Sequence, residues 1–253
     1  MRIIAKSDIG KVREINQDYY YVSDLEKYEL KLYLLADGMG GYKGGEIASM
    51  LAVENIKQFI TNNFESTKKD RESILQLMKA AIEYANMIIY ERAQSDATIH
   101  DMGTTVDACL IYNNKVFIGH VGDSRVYRIR KNFMRRLTTD HSYVESLVRD
   151  GQITKEKAYN HPKKNMLMKA LGSNSLIEPD VLCKGFLKDD ILLMCSDGLT
   201  NMLRDNDIYK TLLDNPNEPA KALVDSANNN GGADNITVII IDNIEISDET
   251  KES

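Results

Sequence analysis

Apolar residues follow two different periods along this chain. Short runs rich in aromatic and aliphatic residues, such as DYYYVSD and ELKLYLLAD, have the composition of β-strands and are joined by a short charged loop. Residues 44–64 and 72–93 instead place apolar side chains near the three- and four-residue spacing of amphipathic helices. The first part of the chain is therefore predicted to form an antiparallel strand pair followed by two long helices.

The same two periods alternate through the rest of the chain. The runs TTVDACLIY, KVFIGHVGDSRVYRIR and FMRRLT predict a meander, with hairpin turns at Asn113-Asn114 and Lys131-Asn132. Residues 141–172 lose the strand pattern and predict short helices inserted between strands. Strand patterns return in DVLCKGFL, DDILLMCSD and NITVIIID, and DNDIYKTLLD and EPAKALVDSANN predict two more helices. One domain with many antiparallel strands and two helix pairs is expected.

Composition narrows the class of protein. With 253 residues and 43% hydrophobic content, the chain is large enough to bury a sizeable core. Its net charge of −6 argues against nonspecific binding to nucleic acids or anionic membranes. The basic run RIRKNFMRR lacks interleaved stacking aromatics and indicates a solvated hairpin face. Neither a secretion signal nor an apolar run long enough to cross a bilayer is evident, so we expect a cytoplasmic protein without membrane insertion.

Four aspartates are predicted to lie where strands begin or end. Asp18 opens one strand of the first pair and Asp37 ends the other, so antiparallel pairing places both at one edge of the sheet. Asp197 and Asp234 have the same relation in two later strands. Each of them is alternatively a simple turn residue. Taken together, four converging carboxylates favour a site for a hard cation, Mg²⁺ or Mn²⁺, which offsets their repulsion.

The stretch LYLLADGMGGYKGGEIAS also has to be tested as a nucleotide-binding loop. Lys43 stands where the dinucleotide fingerprint needs its third glycine, and the chain contains no G-K-[ST] sequence. Asp37 would also put negative charge where a pyrophosphate binds, whereas a cation would use that charge and the Gly38 carbonyl. None of the three cysteines is followed six residues later by the arginine that a thiol phosphatase loop requires.

Eight motifs, in this order, resemble those of the metal-dependent protein serine/threonine phosphatases of type 2C, in particular the compact bacterial members. They cover nearly the whole chain: VREINQD, ADGMGGYKGGEIAS, MGTT, HVGDSRVYRIR, LTTDHS, KALG, CSDGLTNML and GGADNITVI. The resemblance implies an α+β fold, a four-layer α-β-β-α sandwich of two antiparallel sheets flanked by helix pairs. It also implies a catalytic domain over residues 1–242 with a flap at 143–168, and a disordered tail at 243–253.

The resemblance assigns roles to the carboxylates. It implies a dinuclear Mn²⁺ or Mg²⁺ site at one edge of the sandwich, with a third, weaker cation beside it. The resemblance implies that Asp37 bridges the two core cations and that the Gly38 carbonyl binds one of them. It implies that Asp197 and Asp234 hold the other, with Asp18 acting through metal-bound water. Asp123 is implied to join Asp197 at the third cation. The alternative for Asp123 is a mid-strand aspartate bonded to a neighbouring loop.

The implied reaction is hydrolysis of phosphoserine and phosphothreonine in proteins by a hydroxide that bridges two cations. Arg13 matches the phosphate-binding arginine, and its planar fork suits a phosphoryl dianion. The chain departs from the family where a histidine commonly lies near the leaving oxygen, because Met39 and Tyr42 occupy the two positions. Tyr42 is therefore expected to be a substrate-binding residue, and either its hydroxyl or a metal-bound water protonates the leaving group. Water is favoured, because an ordinary tyrosine has a pKa near about 10.

Two function classes follow from the resemblance and this departure. The first is an active phosphatase that reverses bacterial serine/threonine kinase signalling, with the substrates of such a kinase and the kinase itself as partners, working as a monomer without nucleic acid. The second is a signalling module that keeps the fold and binds phosphoproteins without turnover. Retention of every expected metal carboxylate favours the enzyme.

Overall fold

Two antiparallel β-sheets packed face to face form the centre of the molecule. The structure, a computed structural model, describes residues 1–23, 30–39 and 41–243, apart from the side chains of 41–43. The strands in this part of the chain are β1 (Arg2–Asp8), β2 (Asp18–Val22), β3 (Lys31–Met39), β4 (Gly103–Thr104), β5 (Val106–Tyr112), β6 (Lys115–Val121), β7 (Arg125–Arg130), β8 (Phe133–Arg136), β9 (Asp180–Gly185), β10 (Ile191–Cys195) and β11 (Ile236–Asp242). One sheet has the order β1-β11-β10-β7-β8; the other has β2-β3-β5-β6-β9, with β4 paired to β3.

Helices cover the outer face of each sheet. The helices in the described residues are α1 (Gly41–Asn63), α2 (Arg71–Ser95), α3 (Tyr143–Arg149), α4 (Lys155–Tyr159), α5 (Asp197–Thr200), α6 (Asp205–Asp214) and α7 (Pro219–Asn229). Helices α1 and α2 pack on the sheet that contains β3 and β6, and α7 packs on β1 and β11, with α6 against α7. The predicted four-layer α-β-β-α sandwich is therefore confirmed.

Alternation of side chains along the central strands builds three apolar layers. In β3, Leu32 and Leu34 face α1 and α2, whereas Tyr33 and Leu35 face the other sheet. Strand β11 repeats the pattern, because Val238 and Ile240 lie on the side of α6 and α7 while Ile239 and Ile241 lie between the sheets. Successive strand residues point to opposite faces, so strands buried on both faces appear in sequence as continuous apolar runs.

The predicted meander is wrong at one point. Strands β6 and β7 were predicted as one continuous run, but they belong to different sheets, and the chain crosses between the sheets at residues 122–124. Gly122 has a φ of +112°, a backbone conformation open mainly to glycine. Asp123 consequently lies in a bend between the sheets and not in the middle of a strand.

Most other predicted elements are present. The turns at Asn113-Asn114 and Lys131-Asn132 have positive φ at all four residues, as two-residue hairpins of the predicted type require. The inserted segment contains the short helices α3 and α4. Strand β1 and helix α5 were not predicted. Of the disordered tail expected at 243–253, residues 244–253 lie outside the described residues, whereas Asn243 donates its backbone N–H to the carbonyl oxygen of Asp190 at 3.0 Å.

Candidate active site

Two of the predicted carboxylates lie side by side on neighbouring strands. Asp18 opens β2 and pairs in register with Asp37 of β3. Gly38 follows, and a Cβ atom at that position would lie 2.1 Å from the carbonyl oxygen of Gly45 and 2.6 Å from that of Gln17. Only glycine fits between the end of β3 and the first turn of α1, so the position of Asp37 depends on this close backbone approach.

The backbone of Asp37 is held on both sides by two threonines that precede β5. The Asp37 N–H donates to Thr105 Oγ1 at 3.0 Å, and its carbonyl accepts from Thr104 Oγ1 and from the Thr105 N–H, both at 2.9 Å. Thr105 Oγ1 also shares a hydrogen bond of 2.8 Å with Ser124 Oγ. A buried hydroxyl thus links Asp37 to the bend that carries Asp123.

Asp197 and Asp234 lie at the junction of β10, α5 and β11. Asp197 is the first residue of α5, and Asp234 lies two residues before the start of β11. A Cβ atom at Gly198 would lie 1.9 Å from the carbonyl oxygen of Asn235, so these two segments are in direct backbone contact. Asn201 Nδ2 donates to Asp197 Oδ2 at 2.8 Å. The paired strands β10 and β11 therefore bring both carboxylates to one place, as predicted.

Asp18 lies behind these carboxylates and is only 8% exposed. Ser196 Oγ donates to its Oδ2 at 2.8 Å, whereas its Oδ1 is buried without a hydrogen-bond partner among the described residues. A buried carboxylate oxygen with no partner is uncommon and costs free energy. Its chemistry suits an ordered water that is itself bound to a cation.

The remaining predicted ligands converge on one cavity of about 500 Å³. Its walls include six of the predicted site residues: Arg13, Asp37, Gly38, Asp123, Asp197 and Asp234. Arg13 lies in the loop between β1 and β2, and its Nη2 donates to Asp234 Oδ2 at 2.8 Å. The guanidinium group is half-exposed and lies directly beside the carboxylates.

Burial and mutual repulsion raise the pKa values of these carboxyl groups. Burial raises the pKa of Asp18 to about 7 and that of Asp197 to about 6, and neighbouring carboxylates add to both shifts. The pKa values of Asp37 and Asp123 lie well above the ordinary range, again through burial first and repulsion second. The ionised forms are thus unfavourable together unless positive charge is added.

The donor set fits hard divalent cations. The converging groups offer carboxylate and carbonyl oxygens, which Mg²⁺ and Mn²⁺ prefer, and no thiol or imidazole joins them in the cavity wall. Across residues 1–23, 30–39 and 41–243, however, no three acidic, histidine or cysteine side chains already have the arrangement of a metal site. Several carboxylates contact protein groups instead, as Asp234 does with Arg13. Metal binding at this cavity therefore requires side-chain rotation within a backbone that already brings the ligands together.

Comparison with known proteins identifies the family. The family model described as protein phosphatase 2C matches residues 11–222. The chain belongs to the protein phosphatase 2C family. It is 37% identical over 241 residues to the serine/threonine phosphatase stp of Listeria innocua, covering 94% of each chain. It is 36% identical over 246 residues to the protein phosphatase PhpP of Streptococcus pneumoniae, covering 95% of this chain and 97% of the relative.

Solved structures of 2C-type phosphatases agree with the fold. The Mycobacterium tuberculosis serine/threonine phosphatase PstP/Ppp matches with a TM-score of 0.84 and 32% identity, covering 96% of this chain and 99% of the other. The catalytic domain of the serine/threonine protein phosphatase PstP in complex with two manganese ions matches with a TM-score of 0.84, 32% identity and coverage of 96% and 98%. This 2C-type chain is accordingly a metal-dependent protein serine/threonine phosphatase, and the predicted family, enzyme class and dependence on Mn²⁺ or Mg²⁺ are confirmed.

This 2C-type phosphatase has no histidine at either of the two positions where the family commonly has one near the leaving oxygen. Met39 lines the cavity, so an apolar side chain occupies one of the two histidine positions. Tyr42 occupies the other, and its backbone lies in α1, but its side chain is outside the part of the chain that the structure describes. Its assignment as a substrate-binding residue therefore stays a prediction.

Several residues that support the site were missed from sequence. Asn235 is one: its Nδ2 donates to the carbonyl oxygens of Ile9 and Ile15, and its Oδ1 accepts the N–H of Gln17. It thereby fixes the β1–β2 loop that carries Arg13. From sequence, the only indication of a role for Asn235 is that it follows Asp234 in the motif ADN.

None of the helices in the described ranges combines the length and apolar content that crossing a bilayer requires.

Proposed function

We propose that this phosphatase holds two core cations through Asp37, the Gly38 carbonyl, Asp197 and Asp234, with Asp18 acting through water. Asp123, together with Asp197, takes a third and weaker cation. The observation that carries this assignment is the single cavity lined by five of these groups, with the unpartnered Asp18 Oδ1 behind it. The manganese-bound relative supports the choice of Mn²⁺ for the core, and Mg²⁺ has the same ligand preference.

Each residue has a separable task in the proposed reaction. Divalent cations bound at this site would lower the pKa of bound water and would place positive charge beside the phosphoryl oxygens. Arg13 binds the equatorial oxygens of the phosphoryl group, because its guanidinium fork lies at the cavity wall beside Asp234. The threonine contacts at Asp37 keep its backbone fixed while the substrate exchanges. Preorganised groups of this kind stabilise the transition state without reorganisation.

The leaving serine or threonine oxygen needs a proton. We expect a water molecule to supply it in preference to the Tyr42 hydroxyl, because an ordinary tyrosine with a pKa near about 10 is a poor acid at neutral pH. The apolar Met39 in the cavity wall cannot take this role. This assignment leaves the phosphatase without a side-chain acid of its own.

The proposed setting is bacterial serine/threonine signalling in the cytoplasm. Phosphorylated proteins are the proposed substrates. The names of two relatives, serine/threonine phosphatase stp and protein phosphatase PhpP, support this choice. We propose that these phosphorylated proteins include substrates of a bacterial serine/threonine kinase and the kinase itself. The catalytic domain extends over residues 1–242 and acts as a monomer without nucleic acid, and its flap at 143–168 helps to select protein substrates.

One experiment tests the activity and separates it from phosphoprotein binding without turnover. Phosphate release from a phosphothreonine peptide is measured with Mn²⁺, then after chelation with EDTA, and again after Mn²⁺ is restored. We expect turnover that is lost with the chelator and recovered with the metal. Peptide binding without phosphate release under all three conditions would contradict the proposal.

A further inference from the structure

A second cavity, of about 750 Å³, lies next to the metal site. Asp123 and Asp197 line both cavities, so the two share this wall. The other walls come from β8 and residues 137–142, from the flap helices α3 and α4, and from residues 200–206. A substrate segment that leaves the phosphate site past Asp123 and Asp197 would therefore enter this second cavity.

The flap side of the second cavity is fixed by specific contacts. Arg204 makes two hydrogen bonds to Glu156 of α4, at 3.1 and 2.9 Å, and its guanidinium carbon lies 4.2 Å from the centre of the Tyr159 ring. The Tyr159 hydroxyl donates to the carbonyl oxygen of Asn201 at 3.2 Å. These contacts hold α4 against the segment that follows Asp197, so this wall has a defined position.

Four of the six acidic side chains that line the second cavity already have positive or hydroxyl partners. Asp140 is paired with Arg125 at 2.7 Å and with Arg136 at 3.2 Å, and Arg136 also contacts Glu145 at 3.0 Å. Asp205 accepts a hydrogen bond of 2.9 Å from the Tyr127 hydroxyl, and Glu156 is paired with Arg204. The two remaining acidic groups of this wall, Asp123 and Asp197, are the proposed cation ligands.

Three basic side chains of the same cavity have no ion pair within the described part of the chain: Arg135, Lys155 and Lys164. Arg135 and Lys155 are exposed, and the Lys164 ammonium lies 5.5 Å from the centre of the Tyr159 ring. With four acidic groups paired, and with the charge of Asp123 and Asp197 offset by the proposed cations, the charge left to act on a ligand is positive. A cleft with one sign of unpaired charge raises the local concentration of ligands of the opposite sign.

We infer that the second cavity binds an anionic side chain of the substrate protein, close in sequence to the scissile phosphoresidue. The ligand chemistry is a carboxylate or a second phosphoryl group, both of which suit guanidinium and ammonium donors. The inference rests on the proposed function, because it uses the shared wall to connect both cavities along one substrate segment. It predicts selectivity for phosphorylation sites in acidic or multiply phosphorylated segments.

Matched phosphothreonine peptides test this inference. One peptide has glutamates on both sides of the phosphothreonine, a second has glutamines there, and a third has a second phosphothreonine. For the wild-type enzyme with Mn²⁺ at low salt, kcat/KM should favour the glutamate peptide over the glutamine peptide by about tenfold, the scale of several partly exposed ion pairs together. The difference should appear in KM and should shrink at high ionic strength.

The variant Arg135→Gln/Lys155→Gln/Lys164→Gln should bring the ratio of kcat/KM between the two peptides close to one. The matched control, Lys68→Gln/Lys115→Gln/Lys184→Gln, removes the same charge from exposed residues outside both cavities and should keep the wild-type ratio. Because each ratio is taken within one variant, a change in overall activity does not enter it. The single change Lys155→Glu should lower the ratio as well.

Two outcomes would overturn the inference: a wild-type enzyme that prefers neither the glutamate peptide nor the doubly phosphorylated peptide over the glutamine peptide, or a triple variant that keeps the wild-type preference. Selectivity for the doubly phosphorylated peptide alone would support the cavity as a phosphoryl site, and selectivity for the glutamate peptide would extend it to carboxylates. Failure of the proposed function is distinguishable from these outcomes, because the wild-type enzyme with Mn²⁺ would then release phosphate from none of the peptides and from no aryl phosphate.

Discussion

Thr105→Val removes one buried hydroxyl that supports two proposed ligand positions. Thr105 is 2% exposed, and valine keeps its shape while losing the oxygen. In the wild-type structure this oxygen accepts the Asp37 N–H at 3.0 Å and shares a hydrogen bond of 2.8 Å with the fully buried Ser124. The variant leaves both groups buried without their partner.

The expected cost follows from these two groups. Leaving a buried donor or acceptor unsatisfied costs about 1–3 kcal/mol, so the two groups together should lower the free energy of unfolding by about 2–6 kcal/mol in Thr105→Val. Thr105→Ser keeps the hydroxyl and loses only a methyl group, which costs about 1 kcal/mol. The serine variant should therefore recover most of the stability.

Two measurements check this prediction. Urea unfolding followed by circular dichroism gives the free energies of unfolding, and phosphate release from a phosphothreonine peptide across a Mn²⁺ titration gives the metal dependence of turnover. We expect Thr105→Val to need more Mn²⁺ for half-maximal activity, because Asp37 is less well positioned, and Thr105→Ser to behave almost like the wild type. The reasoning fails if Thr105→Val matches the wild type in stability, within about 0.5 kcal/mol, and in its Mn²⁺ midpoint.

Four further changes test other parts of the site. Asp37→Asn should lower turnover by several orders of magnitude in a folded protein, whereas the exposed control Asp214→Asn should retain it; near-normal activity of Asp37→Asn would refute the bridging role. Asp123→Asn should keep two cations bound, measured by calorimetry, and chiefly lower kcat. Tyr42→Phe should change phosphoserine peptide and nitrophenyl phosphate hydrolysis by less than about fivefold, well below the roughly hundredfold scale of acid catalysis, and a large loss confined to the peptide would favour Tyr42 as the acid. Burial, with the neighbouring His120 charge, lowers the pKa of His141, so the unfolded chain binds this proton more readily and the contribution of His141 to stability is lost as the pH falls through about 6.5, against the opposite contribution of the raised pKa values of Asp18 and Asp197. In urea unfolding between pH 7 and 5, His141→Asn should therefore gain stability relative to the wild type as the pH falls, and the same pH dependence in both proteins would contradict this.

The sequence was sufficient to predict the layers of the fold and the positions of the carboxylates at the strand ends. Strand β3 and strand β11 are buried on both faces, so their apolar runs are visible without knowledge of their neighbours. A short loop makes antiparallel pairing of β2 and β3 the simple expectation, and that pairing places Asp18 opposite Asp37. These inferences use contacts between elements that are close along the chain.

Other features depend on contacts that the local pattern does not encode. Strand β1 is half-buried along its length and pairs with β11 at the opposite end of the chain, so its residues carry only a weak strand signal. The hydrogen bond from Ser196 to Asp18 joins residues 178 positions apart. A serine before an aspartate gives no indication of such a partner.

The crossing at Gly122 shows how the missed and the predicted features depend on each other. Strand β6 is buried almost throughout and β7 only in part, but KVFIGHV and RVYRIR both have strand-like sequences, so the hydrophobic pattern does not mark the change of sheet at residue 122. In the structure, a Cβ atom at position 122 would lie 2.5 Å from Thr105 Cβ and Cγ2. Glycine thus permits the approach in which Ser124 reaches the Thr105 hydroxyl, and that hydroxyl also holds the Asp37 N–H. The separation between Asp37 and Asp123 is consequently set by the passage of the chain from one sheet to the other, and a larger residue at position 122 would displace both proposed cation sites together.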